Sequence, residues 1–229
     1  MIFLSLLICT TGFSQGINKM DDEGKRHGYW QGTYEQSKRP RYEGTFEHGK
    51  EVGTFKFFED DKTSTLYATR SFAKDGSCQT TFVDEKGNKV SEGKEANKLK
   101  DGKWTYYHPG GKTIMSTENY VKGKLNGKRV VYFPNGAVAE EISFVNDLKE
   151  GSYKQYTEKG ILLEESVYKN NRLHGPAIYR NAQGELVSKG KFANDLKTGI
   201  WEYYEKGKVV KKEDMTNKKV QLARKKRTD

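Results

Sequence analysis

The sequence has little of what usually closes a globular core. Leu, Ile and Val are scarce, and only two of the 229 residues are cysteine. Cys9 lies in an apolar N-terminal stretch and Cys78 far beyond it, so a chain cleaved after that stretch keeps one thiol and no internal disulfide. The apolar run from Ile2 to Ile8 is too short to span a membrane. No stretch carries a helical period before the C-terminal tail.

The motifs of catalysis are missing as well. There is no GxSxG elbow, no phosphate-binding loop, and no GxGxxG after a strand. His27, His48, His108 and His174 all fall in predicted turns, two of them just before an anchor glycine, and no two share a metal-ligand spacing such as HxxxH. They read as polar turn residues. Carboxylate pairs such as Glu140-Glu141 and Glu164-Glu165 are adjacent, and adjacent strand residues point to opposite faces, so neither pair can share a substrate. The sequence therefore reads as noncatalytic, with no cofactor and no metal.

What is present is aromatic and periodic. The chain holds 14 Tyr, 11 Phe and 3 Trp, a content that argues against disorder. Glycines followed two residues later by a ring recur at Gly28, Gly53, Gly102, Gly127, Gly151, Gly175 and Gly199, with variations in the ring, and Cys78 stands where one more would fall. The steps between these anchors are 25, 25, 24, 25, 24, 24 and 24 residues. A fixed period in this range marks a repeat protein whose units stack on their neighbours.

Each unit reads as two strands. Positions two and four after the anchor share one face and hold Trp30, Phe55 and Phe57, Phe82, Trp104 and Tyr106, Val131, Tyr153, Tyr179, and Trp201 and Tyr203. The position between them is polar, except at Val130 and Ile178; this alternation predicts half-buried strands. The second strand ends on Phe46, Phe72, Tyr120, Phe144, Tyr168 or Phe192, which are expected to pack against the first-strand rings as a ladder. Turns such as Pro134-Asn135-Gly136 and Glu158-Lys159-Gly160 supply the positive φ of hairpins. The least regular unit lies between Thr63 and Leu99, with Cys78 at its anchor, Thr80 for the ring and Glu95 for the closing aromatic.

The formal charge is +10. From Lys211 to Asp229 there are eight Lys or Arg against three Asp or Glu, a net of +5, so half the excess sits in the tail, which is read as disordered. Residues 1–16 read as a signal peptide, which predicts export to the periplasm, outer envelope or medium.

The units GKW(104)TYYHPGG, GKRVVYFPNG(136), GSYKQYTEKG(160), HGPAIYRNAQG(184) and GIW(201)EYYEKG resemble the MORN repeat, specifically the variant of bacterial proteins, over residues 24–210 in seven to eight units. The resemblance implies an all-β fold: an elongated, single-layer, twisted meander of antiparallel hairpins serving as a binding or scaffolding surface. Bacterial members are often labelled antitoxin components of the YwqK type. The expected partner is a protein held along the aromatic face through Trp30, Trp104, Tyr107, Tyr132, Tyr156, Trp201 and Tyr204. Glycan or anionic lipid attachment are the alternatives; interleaving of bases with acids along the array speaks against nucleic acid. The plainer reading of the rings is that they are core.

Overall fold

The structure is a computed structural model that describes residues 16–216. Residues 1–15 of the proposed signal peptide and the last 13 residues of the tail, 217–229, lie outside the described residues. The chain divides into two compact units, residues 1–76 and 77–229, with the boundary inside the least regular repeat.

The described residues form 19 strands and no helix. In the first unit, β1 (Lys19–Met20), β2 (Arg26–Thr33), β3 (Pro40–Glu47), β4 (Lys50–Phe58) and β5 (Leu66–Phe72) each pair antiparallel with the next. The second unit starts with β6 (Cys78–Val83), β7 (Lys89–Ala96), β8 (Leu99–Tyr107) and β9 (Ile114–Val121). It continues through β10 (Lys124–Leu125), β11 (Gly127–Tyr132), β12 (Val138–Val145), β13 (Leu148–Tyr156) and β14 (Leu162–Lys169). Last come β15 (Arg172–Leu173), β16 (Gly175–Arg180), β17 (Leu186–Ala193), β18 (Leu196–Glu205) and β19 (Lys208–Asp214). Here too neighbours in sequence are neighbours in the sheet, with β9 reaching both β10 and β11, and β14 both β15 and β16. The fold is the all-β antiparallel hairpin meander that the period implies.

Two turn types alternate. Asn146-Asp147, Asn170-Asn171 and Asn194-Asp195 each close a two-residue hairpin with both φ values between 49° and 69°, the mirror-image turn that suits strand twist. The second residue of each turn also reaches back one repeat. The Asp195 amide donates to the Leu173 carbonyl at 2.9 Å while its Oδ1 accepts from the Leu173 amide at 2.7 Å. Asp147 does the same to Leu125, and Asn171 to Lys149. Repeats are thus fastened to each other at their turns.

The anchors Gly127 and Gly175 start β11 and β16, as the sequence suggested, whereas Gly53, Gly102, Gly151 and Gly199 lie inside bulges of continuous strands. Gly93 pairs with Trp104 and Glu95 with Lys100, so two steps along β7 oppose four along β8, and Gly102 (φ 83°) lies in the excess. Space beside it is empty, so its conformation alone demands glycine. Cys78 is absent from the left-handed residues, which is why this anchor tolerates a side chain.

The tail also differs from expectation. Residues 211–214 belong to β19, which pairs with β18 and adds Lys212–Glu202 at 2.7 Å and Lys211 over the Tyr203 ring at 5.7 Å. Those contacts order the start of a segment whose charge alone suggested disorder.

Candidate binding face and groove

Strand alternation gives each unit two faces, and the rings two residues after the anchors and at the strand ends share one of them. In the first unit Phe46 meets Trp30 and Phe55 edge-on at 6.0 and 5.1 Å, and Phe55 meets Phe72 at 5.6 Å. In the second, Phe192 meets Trp201 edge-on at 5.1 Å and Tyr153 meets Tyr168 at 5.7 Å. The expected ladder is present. Its rings lie over small residues of the neighbouring strand: Trp104 over Gly93, Trp201 over Gly190, Phe57 beside Ala68, Tyr106 beside Ser116. The indole nitrogens of Trp104 and Trp201 donate to the carbonyls of Lys94 and Lys191 at 2.9 and 3.1 Å.

A cation two residues before the anchor lies over several of these rings. Arg26 lies 5.0 Å from Trp30, Lys100 4.6 Å from Trp104, and Lys197 3.9 Å from Trp201. These cations cover ring faces. In the least regular unit the same face is polar: Cys78, Thr80 and Glu95 are buried, and the Cys78 thiol donates to Glu95 Oε2 at 3.8 Å.

The seven residues expected to contact a partner divide between the faces. Trp104 and Trp201 are 0% exposed and cannot touch one; a single sheet has no second layer, so its largest rings must form its core. Trp30 is half-buried, donating to the Lys19 carbonyl at 3.0 Å beneath Arg26. Tyr107, Tyr132, Tyr156 and Tyr204, five residues after their anchors, occur on the opposite face, all half-buried. There Tyr107, Tyr156 and Tyr204 meet carboxylates. Tyr204 donates to Glu202 at 2.6 Å, with Lys189 at 5.5 Å from its ring, and Tyr107 donates to Glu92. Burial, then the Glu92 hydrogen bond and charge, push Tyr107 up to about 12. Glu202, hydrogen-bonded by Lys212, Tyr204 and Lys189, is lowered to about 2.

This second face carries the feature that the sequence reading passed over. Pro176, Ile178 and Ile200 line a groove of about 470 Å³, bordered by Lys189, Lys191 and Glu202. A smaller hollow adjoins it, sharing Pro176 and Ile178 and adding Val167, Lys154 and Glu165. Ile200 is 54% exposed. Ile178 was legible as an exception to the polar pattern, but its neighbours across the sheet were not. Three cations here have partners: Lys189 and Lys212 both pair with Glu202, at 3.2 and 2.7 Å, and Arg180 pairs with Glu165 at 3.1 Å.

Among the described residues, one cluster could hold a metal ion: Asp21, His27 and His48, in the first unit. Spacing had set these histidines apart. His27 moreover lies in β2 and not in a turn.

The described residues define an antiparallel β-hairpin repeat protein with a grooved face. Two of its repeats match the model of the MORN repeat variant family, at residues 125–146 and 149–170, the units anchored by Gly127 and Gly151. No curated protein matches the sequence. Among solved structures, a protein of unknown function from Bacteroides fragilis aligns over 74% of this chain and 95% of its own, at 7% identity and a TM-score of 0.14. That likeness bears on neither fold nor function.

Proposed function

We propose that this chain binds a protein partner on the face opposite its ring ladder, with an apolar side chain of the partner seated between Ile178 and Ile200, and performs no chemistry of its own. The groove carries the reading. It combines an apolar floor with a rim of both charges, the composition of a protein interface with an apolar centre and a polar edge. Polyanions favour a field of one sign, whereas here Lys189 is paired with Glu202 and the nearby Arg180 with Glu165. Glycan stacking calls for open ring faces, and two of the three tryptophans are enclosed. Export through the N-terminal leader, and neutralisation of the partner in the manner of an antitoxin, are finer readings that rest on the leader sequence and on the resemblance.

The test is affinity capture from envelope and medium fractions with the full chain, beside Ile178→Asp and Ile200→Asp variants of unchanged melting temperature. The expected result is one protein retained by the native chain and lost with both variants. Retention of glycan or anionic vesicles alone, or equal capture by the variants, overturns the reading.

A further inference from the structure

We propose that Asp21, His27 and His48 form a site for a transition-metal dication, zinc above all, independent of the groove. The three residues come from two hairpins. Met20 pairs with Arg26 and Lys19 with His27, which places Asp21 at the head of the β1–β2 connection and His27 on β2. His48 is the first residue of the β3–β4 turn, and the Gly49 amide donates to the Arg26 carbonyl at 2.8 Å, fixing that turn beside His27.

The donor atoms are converged. One ligand atom from each residue can be chosen so that all lie within 4.8 Å of one another. His48 Nδ1 is 2.8 Å from Asp21 Oδ2, and the two imidazole centroids are 4.8 Å apart. Zinc–nitrogen bonds of about 2.0 Å in a tetrahedron put ligand atoms about 3.3 Å apart, so a small rotation of the exposed histidines closes the set.

The carboxylate is prepared for the role. Asp21 Oδ1 accepts from the amides of Lys25 and Glu23 at 2.8 and 3.0 Å, which fixes the side chain and leaves Oδ2 for the histidines. The Asp21 side chain is only 10% exposed, whereas that of His48 is 65% exposed, so the site is anchored on one side and open on the other. Two imidazole nitrogens with one carboxylate select zinc and its transition-metal neighbours over calcium or magnesium, which take oxygen ligands. Three protein ligands leave a tetrahedral ion one position for water or for a donor from another molecule.

The experiment is equilibrium dialysis of the full chain, free of any histidine tag, against zinc chloride, with metal analysis and with cobalt(II) absorption as a second readout. The expected result is one zinc per chain and a tetrahedral cobalt spectrum, with affinity reduced by about tenfold or more in both His27→Ala and His48→Asn. Asparagine suits the left-handed φ of 47° at position 48, so that variant keeps its turn. A His108→Ala, His174→Ala double variant is expected to bind as the native chain does. Zinc retention unchanged in His27→Ala and His48→Asn, or no zinc retained by the native chain, overturns the proposal.

Discussion

The indole of Trp201 rests on Gly190, so closely that a Cβ built on that glycine would lie 2.4 Å from the ring. Trp104 rests on Gly93 in the same way, and Phe55 on Gly44. These glycines differ in kind from the anchors. The anchors Gly53, Gly102 and Gly199 have positive φ and open space around them, whereas Gly44, Gly93 and Gly190 need room.

Gly190→Ala is therefore expected to cost about 1 to 3 kcal/mol by displacing the ring. Gly102→Ala should cost about 1 to 2 kcal/mol through backbone strain alone. Tryptophan fluorescence separates the mechanisms: the emission of folded Gly190→Ala shifts because Trp201 moves, and that of Gly102→Ala does not.

The clamp between Asp195 and Leu173 has a backbone half that substitution leaves in place and a side-chain half that it removes. Asp195→Ala loses the side-chain hydrogen bond and keeps a Cβ at φ 67°, where alanine is tolerated less well than aspartate, an expected loss of about 1 to 2 kcal/mol. Asp195→Gly loses the same hydrogen bond but relieves the left-handed Cβ, so it costs less, about 1 kcal/mol or below. Chemical denaturation that ranks the glycine variant at or below the alanine variant would sink this account.

Lys100 lies within about 5 Å of three ring centroids, at 4.6 Å from Trp104, 5.1 Å from Tyr106 and 4.9 Å from Tyr120. Lys100→Gln is expected to lower stability by about 0.5 to 1 kcal/mol, while Lys208→Gln, in the exposed start of β19, leaves the melting temperature unchanged.

Acid acts on the edge strand. Glu202 is held at about 2 by hydrogen bonds from Lys212, Tyr204 and Lys189. Its folded value lies below the ordinary 4.5, so its contribution is complete above that value and disappears as pH falls toward 2. Glu202→Gln should flatten the acid limb of the thermal stability profile between pH 4.5 and 2. Tyr107, raised to about 12 from 10, acts at the other end: its contribution is present below pH 10 and falls away toward 12. Phenolate absorption should show its ionisation delayed relative to free tyrosine, and Glu92→Gln should shorten the delay.

Local chemistry made much of the fold legible. Asn194-Asp195 and Pro134-Asn135-Gly136 announce their turns because few residues adopt positive φ, and Trp104 with Tyr106 announces a strand face because side chains alternate. The binding face was harder to see. Trp104 and Trp201 looked like contacts because they are large and regularly placed, yet the same size draws them into the core. Ile178 is one apolar residue in a polar register, and it becomes part of a groove only where Ile200 and Pro176 stand beside it.

The sequence by itself determined the period, the alternation within each strand and the residues able to turn, because all three depend on contacts within a few positions along the chain. The tertiary structure alone decided which glycines carry a ring, which lysines cover one, and that His27 and His48, 21 residues apart in the sequence, meet at Asp21. Strand pairing sets residues about one repeat apart side by side, and the bulges that fix this register arise from pairing across strands, which no spacing along a single strand records.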